Sequence, residues 1–118
     1  MLKTDVHADA TAAGVQMVTD ATFADEVLAS SLPVLLKFTA DWCPPCRMME
    51  PVLAQIAAER QGQLRVVSLD VDSNPQTQAT YRVLAMPTLM VFRAGEPIMS
   101  VVGARSKRRL LQEIDDVL

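Results

Sequence analysis

The sequence predicts an α/β fold, a mixed central β-sheet flanked by helices on both faces. The first observation behind this is the order of elements. Apolar, β-branched runs of strand length alternate with segments of helical period as β-α-β-α-β-α-β-β-α. The second is that the last two strands meet across Arg93-Ala94-Gly95-Glu96, a turn that makes them a hairpin, whereas helices separate the earlier strands. The third is size: 118 residues, 50% of them hydrophobic, bury one core but hardly two, and no repeat, linker or second domain is visible.

Residues 1–13 are polar and Ala-rich without periodicity, and are expected to form a mobile tail before a single domain over 14–118. Val15-Gln16-Met17-Val18 is a short edge-strand candidate. Thr19-Asp20-Ala21-Thr22 offers several N-caps for a helix over Phe23 to Ala29, and Ser30-Ser31-Leu32-Pro33 breaks it. Val34-Leu35-Leu36-Lys37-Phe38-Thr39 is the central strand. Pro44 and Pro45 open the next helix, in which Met49, Leu53, Ile56 and Ala57 recur at helical spacing until Gln61-Gly62; Pro51 lies inside it and is expected to kink it. Leu64 to Val71 is a strand, and Ser73-Asn74-Pro75 is expected to cap a short helix to about Tyr81. The hairpin follows as Thr88 to Phe92 and Pro97 to Val102. Gly103-Ala104-Arg105-Ser106 then leads into a last helix with Leu110, Ile114 and Val117 on its apolar side.

The chemistry is concentrated in Trp42-Cys43-Pro44-Pro45-Cys46, which holds the only two cysteines. They sit at a strand-to-helix turn, where free backbone N–H groups and the positive end of the helix dipole favour a thiolate over a thiol. The thiolate is the nucleophile of disulfide exchange. Two other readings of the pair compete. A zinc site needs further Cys or His ligands, and His7 in the tail is the only histidine. An inert staple across so short a loop would contribute little stability.

Composition narrows the partners. The net charge of −3 argues against general binding to nucleic acid or an anionic membrane, and no stretch reaches a membrane-spanning length of roughly 18 apolar residues. Asp5 and Asp9 stand where a signal peptide would have its apolar segment, which argues against export; cytoplasm is the expected location, and a lone cysteine pair there is catalytic rather than structural. With aromatics at 4%, the core must come from aliphatics and seven Met, which serve as pliable filling.

A C-x-x-C beside a βαβ pattern is the signature of a thioredoxin-like redox site. Further stretches agree in order and spacing: Phe38 to Met48, Pro51, Asp70-Val71-Asp72-Ser73-Asn74-Pro75, Met86-Pro87-Thr88, Phe92 to Glu96 and Val102 to Lys107. From Val15 to Leu118 the chain resembles the thioredoxin family. The resemblance implies the thioredoxin fold and a dithiol oxidoreductase that reduces disulfides in client proteins, with Cys43 the exposed attacking thiol and Cys46 the more buried resolving thiol. It implies a cis Pro87 beside the disulfide and client docking on Trp42, Met86, Pro87, Gly103 and Ala104. It implies no bound cofactor or metal; recycling comes from a separate thioredoxin reductase, and the protein is expected to be a monomer. Without the resemblance, Pro87 reads as a trans proline opening a strand; for Trp42 plain core is the alternative, against which stand the polar Asp41 and the dithiol beside it.

Three departures from the family pattern bear on the site. Pro44-Pro45 stands where Gly-Pro is usual, stiffening the loop and removing one N–H near the sulfur. Thr39 replaces an aromatic, which predicts a smaller, wetter site. Lys37 occupies the position of an interior carboxylate that the family uses in proton transfer at the resolving cysteine, and Ser68 that of the carboxylate's lysine partner. Lys37 either snorkels to solvent at the strand end or is buried and paired, with Asp70 or a water as the expected partner. These departures leave two rival functions open: a disulfide donor or isomerase with a more oxidising couple, and a non-catalytic interaction module that keeps the fold.

Overall fold

The computed structural model describes residues 14–118; the expected tail over 1–13 lies outside them. Strands β1 (Val15–Met17), β2 (Val34–Thr39), β3 (Arg65–Asp70), β4 (Thr88–Arg93) and β5 (Glu96–Val102) alternate with helices α1 (Ala24–Leu28), α2 (Pro44–Glu59), α3 (Pro75–Thr80) and α4 (Lys107–Val117) in the expected order. They form one sheet in the order β1-β3-β2-β4-β5. β3 is parallel to both β1 and β2, while β4 is antiparallel to β2 and β5, so the sheet is mixed.

The central strand reads as a continuous apolar run because both of its faces are covered. Val34, Leu36 and Phe38 point to one side, where they join Phe23, Val27 and Phe92 in one buried cluster. Leu35 points to the other, against Met49, Leu53 and Ile56 of α2 and Leu110 and Ile114 of α4. Each such fully buried aliphatic contributes about 1.5–3 kcal/mol of transfer free energy. The few aromatics are concentrated: Phe23, Tyr81 and Phe92 meet mutually with ring centroids 5.2 to 5.6 Å apart, an arrangement worth about 0.5–1.5 kcal/mol per pair beyond area. Between β4 and β5, Ala94 (φ 53°) and Gly95 (φ 82°) take the left-handed conformations that a two-residue hairpin turn matched to strand twist requires.

Local capping differs from the sequence reading. The expected helix after Thr22 is only the five-residue α1, closed by Ala29 N–H donating to Ala24 C=O at 2.9 Å, and no side chain caps it. Asp20 instead caps α3: its carboxylate accepts from Gln76 N–H (3.1 Å), Thr77 N–H (2.9 Å) and Thr77 Oγ1 (2.6 Å). Asn74, expected to cap α3, is turned away from it. Its side chain donates to Asp70 C=O and accepts from Asp20 N–H. α2 is continuous through Pro51, whose ring leaves the Arg47 carbonyl without its usual N–H donor. Ser106 caps α4 by accepting from Arg109 N–H at 3.2 Å. No helix among the described residues is long and apolar enough to cross a membrane.

Candidate active site

β2 ends at Thr39, and the chain turns through Ala40, Asp41 and Trp42 into α2, so the central strand and the helix axis meet at Cys43. Cys43 is the N-cap of α2, in extended conformation, and Pro44 and Pro45 fill the first helical positions. Prolines suit these positions because the N–H groups they lack would have no partner inside the helix. Their absence leaves Cys46 N–H as the donor that reaches Cys43 Sγ, at 3.2 Å. Cys43 and Cys46 are joined by a disulfide, with Cα atoms 5.3 Å apart.

The expected contrast in exposure is not seen. Cys43 is 2% and Cys46 1% exposed, both inside the cluster that holds Phe38, Ala40 and Val71.

The other predicted residues gather around this point. Trp42 is 64% exposed, and its indole N–H donates to Asp72 Oδ2 at 2.9 Å, which settles it as a surface residue rather than core. The Met86–Pro87 bond is cis. Met86 packs against the cluster containing both cysteines. Gly103 N–H donates to Pro87 C=O at 2.9 Å, joining the loop before β4 to the loop after β5. Gly103 has φ +100°, so glycine is required there by the backbone itself. Arg105 braces the same loop: its Nη1 donates to the carbonyls of Val102 (3.0 Å) and Gly103 (3.2 Å) while its Nε donates to Glu113 (2.8 Å). Asp72 and Arg105 are the contributors that sequence reasoning missed. Both lie within the matched stretches, but nothing local marks an aspartate thirty residues away as the indole's acceptor.

Lys37 corrects two expectations. It neither snorkels nor pairs with Asp70: it is 2% exposed, and its Nζ donates to the backbone carbonyl of Cys46 at 3.1 Å. Register supplies the reason. Lys37 stands opposite Ser68, while Asp70 stands opposite Thr39 at the strand end, where its carboxylate is taken by Asp72 N–H at 2.9 Å. Burial pushes the Lys37 ammonium below its ordinary value of 10.5, and the negative charge of Glu50 on α2 opposes this. Beside it runs a cleft of about 350 Å³ whose lining includes Lys37, Thr39, Asp41, Arg47, Glu50, Ser68 and Asp70. Thr39 is only partly buried at its rim.

Comparison with known proteins agrees with this geometry. The thioredoxin family model matches residues 14–116. A thioredoxin of Mycobacterium tuberculosis is 50% identical over 101 residues, covering 86% of this chain and 87% of that protein. Thioredoxin 1 of Nostoc sp. is 46% identical over 98 residues, covering 83% and 92%. A bifunctional thioredoxin reductase/thioredoxin of Mycobacterium leprae is 47% identical over 111 residues, covering 93% of this chain and 24% of that longer protein. With its C-x-x-C disulfide at the head of α2 and a five-stranded mixed sheet behind it, the chain belongs to the thioredoxin family and is a thiol–disulfide oxidoreductase that reduces protein disulfides.

Proposed function

We propose that Cys43 is the attacking thiol and Cys46 the resolving thiol. The observation that carries this assignment is Cys46 N–H directed at Cys43 Sγ at the head of α2. After reduction the same N–H faces the Cys43 sulfur, where a charge-assisted bond and the helix dipole favour the thiolate. The Cys43 thiolate attacks one sulfur of a client disulfide and the other sulfur leaves as a thiolate. Cys46 gives up its proton and attacks Cys43 sulfur, expelling the second client thiolate. The client gains two electrons and two protons, one given up by Cys46 and one taken from outside the sulfur pair, and the Cys43–Cys46 bond re-forms.

The client segment docks across Trp42, Met86, Pro87, Gly103 and Ala104. Exposure of Trp42 and the bond joining the Pro87 and Gly103 loops support this surface. An X-Pro bond offers no N–H from the proline, which leaves the backbone of Met86 to pair with an extended client strand. Electrons return from a thioredoxin reductase, a reading supported by the Mycobacterium leprae relative whose name joins both activities. The protein acts as a monomer in the cytoplasm, in electron transfer and redox homeostasis, without nucleic acid or membrane partners; a lone dithiol suits a reducing compartment and the net charge of −3 suits protein clients over polyanions.

Insulin reduction by dithiothreitol tests the assignment. Cys43→Ala is expected to abolish catalysis, and Cys46→Ser to accumulate mixed disulfides with clients, because attack and resolution need separate thiols. Undiminished turnover by Cys43→Ala overturns it.

A further inference from the structure

We propose that Lys37 is a redox-linked proton site: its amine takes up a proton when the Cys43–Cys46 disulfide is reduced and releases it when the disulfide re-forms. This rests on the dithiol reading above. The amine is buried on the α2 side of β2, and its hydrogen bond goes to the carbonyl of Cys46, the residue whose sulfur changes state. Among the described residues no carboxylate lies within ion-pair distance of its Nζ. A buried ammonium without a counter-ion is disfavoured, and a neutral disulfide supplies none. Reduction replaces that disulfide with a thiol and a thiolate at the head of α2, so the ammonium gains the opposite charge it lacked.

The charges facing the cleft are Asp41 from the loop after β2, Arg47 and Glu50 from α2, and Asp70 from β3. Both redox states share them, so they displace the Lys37 equilibrium equally and leave the thiolate as the difference. The cleft lets the amine exchange its proton with solvent. The lowered affinity of Lys37 for its proton in the oxidised protein agrees with this scheme.

The reaction balances. A client dithiol gives up two electrons and two protons to become a disulfide. The electrons break the Cys43–Cys46 bond; one proton goes to Cys46 sulfur and the other to Lys37, while Cys43 remains a thiolate. In the reverse direction both protons finish on the sulfurs of the reduced client. Charge at the site is thereby conserved, whereas methionine at 37 would leave the thiolate uncompensated.

The test is the equilibrium of the protein couple with reduced and oxidised glutathione, measured for the wild type, Lys37→Met and Lys37→Arg from about pH 6 to about pH 10. Glutathione ionisation cancels in ratios between variants. Where Cys43 is a thiolate and Lys37 is protonated in the reduced protein, the wild-type constant for reduction is expected to exceed that of Lys37→Met by about tenfold, and the ratio is expected to fall towards one as rising pH takes the proton from Lys37 in both redox states. Lys37→Arg, always charged, is expected to keep its excess over Lys37→Met to the alkaline end, where Cys43 is a thiolate. A wild-type ratio that stays flat with pH overturns the proposal. Should either variant fail to fold, nitrogen NMR titration of Lys37 Nζ in the oxidised and reduced wild type gives the same answer: a higher midpoint in the reduced protein supports the proposal and equal midpoints overturn it. A wild type that equilibrates with glutathione but shows no Lys37 linkage sinks this inference alone, whereas one that does not equilibrate sinks the dithiol reading itself.

Discussion

Arg105→Ala separates the order of the Gly103-Ala104 loop from sulfur chemistry. The Arg105 side chain is 12% exposed, and it links two carbonyls at the end of β5 to Glu113 on α4, itself 24% exposed. Fully buried, each bond from a charged donor would be worth about 1.5–3 kcal/mol. This loop lies at the surface, so the freed carbonyls regain water, and a partly exposed ion pair falls towards the roughly 1 kcal/mol of surface pairs. The bond from Arg105 N–H to Met49 Sδ survives because it belongs to the backbone. The net loss is therefore about 2 kcal/mol, read as a lower urea midpoint with unchanged slope. Arg105→Lys, with a single ammonium in place of a forked guanidinium, is expected to recover less than half of it. Because the brace holds Gly103 and Ala104 and touches neither sulfur, KM for a client disulfide is expected to rise several-fold while the Cys43 thiolate titration stays put. A stability loss below about 0.5 kcal/mol with unchanged KM would show that the guanidinium merely lies along the loop.

Two further outcomes follow from ionisation in the folded chain. Burial pushes the Asp20 carboxyl up, but bonds from the Thr77 side chain and the Thr77 and Gln76 N–H groups outweigh it and hold it below 3.8. Its stabilisation is thus present above the unfolded value and lost as pH falls through the folded one; Asp20→Ala is expected to lower Tm by about 5 °C near neutrality, with the gap closing in acid, and a gap that persists there refutes the linkage. Lys37 has the opposite sign: with its folded value below 10.5, the unfolded chain binds the extra proton, so stability of the oxidised wild type is expected to climb relative to Lys37→Met as pH rises through the interval up to 10.5. Parallel urea midpoints for the two proteins across that interval would contradict it.

The sheet was legible because each strand carries its evidence within itself. Apart from Lys37, Val34 to Phe38 is apolar throughout, as is Leu89 to Phe92, and the Ala94-Gly95 turn fixes the pairing of the last two strands. Capping was less legible, since a cap is chosen by space as well as by sequence. Thr19-Asp20-Ala21-Thr22 has the composition of a helix start, yet α1 is a single wide turn, and the aspartate serves a helix more than fifty residues away. Asn74, next to that helix, is released to tie β3 to the loop after β1. Any N-cap residue satisfies some local pattern, and only the packed arrangement of loops decides which helix receives it.

The same distinction runs through the site. Cys43, Cys46 and the prolines between them act within one turn of helix, so their placement follows from the sequence around them. Lys37 does not act locally. The parallel pairing of β2 with β3 was readable, and it points to Asp70 as the nearest acid; but Asp70 lies two residues beyond Ser68, where the strand ends and its own turn needs an acceptor. What meets the amine instead is the first turn of α2, folded back over the strand it has just left. Helix and strand are joined through Ala40 to Cys43, so the crossing that covers Lys37 also brings Cys46 over it, and a single connection places the charge and the disulfide together. A lysine at this strand position is therefore coupled to the redox pair through the chain's own geometry, whatever neighbours the rest of the sheet supplies.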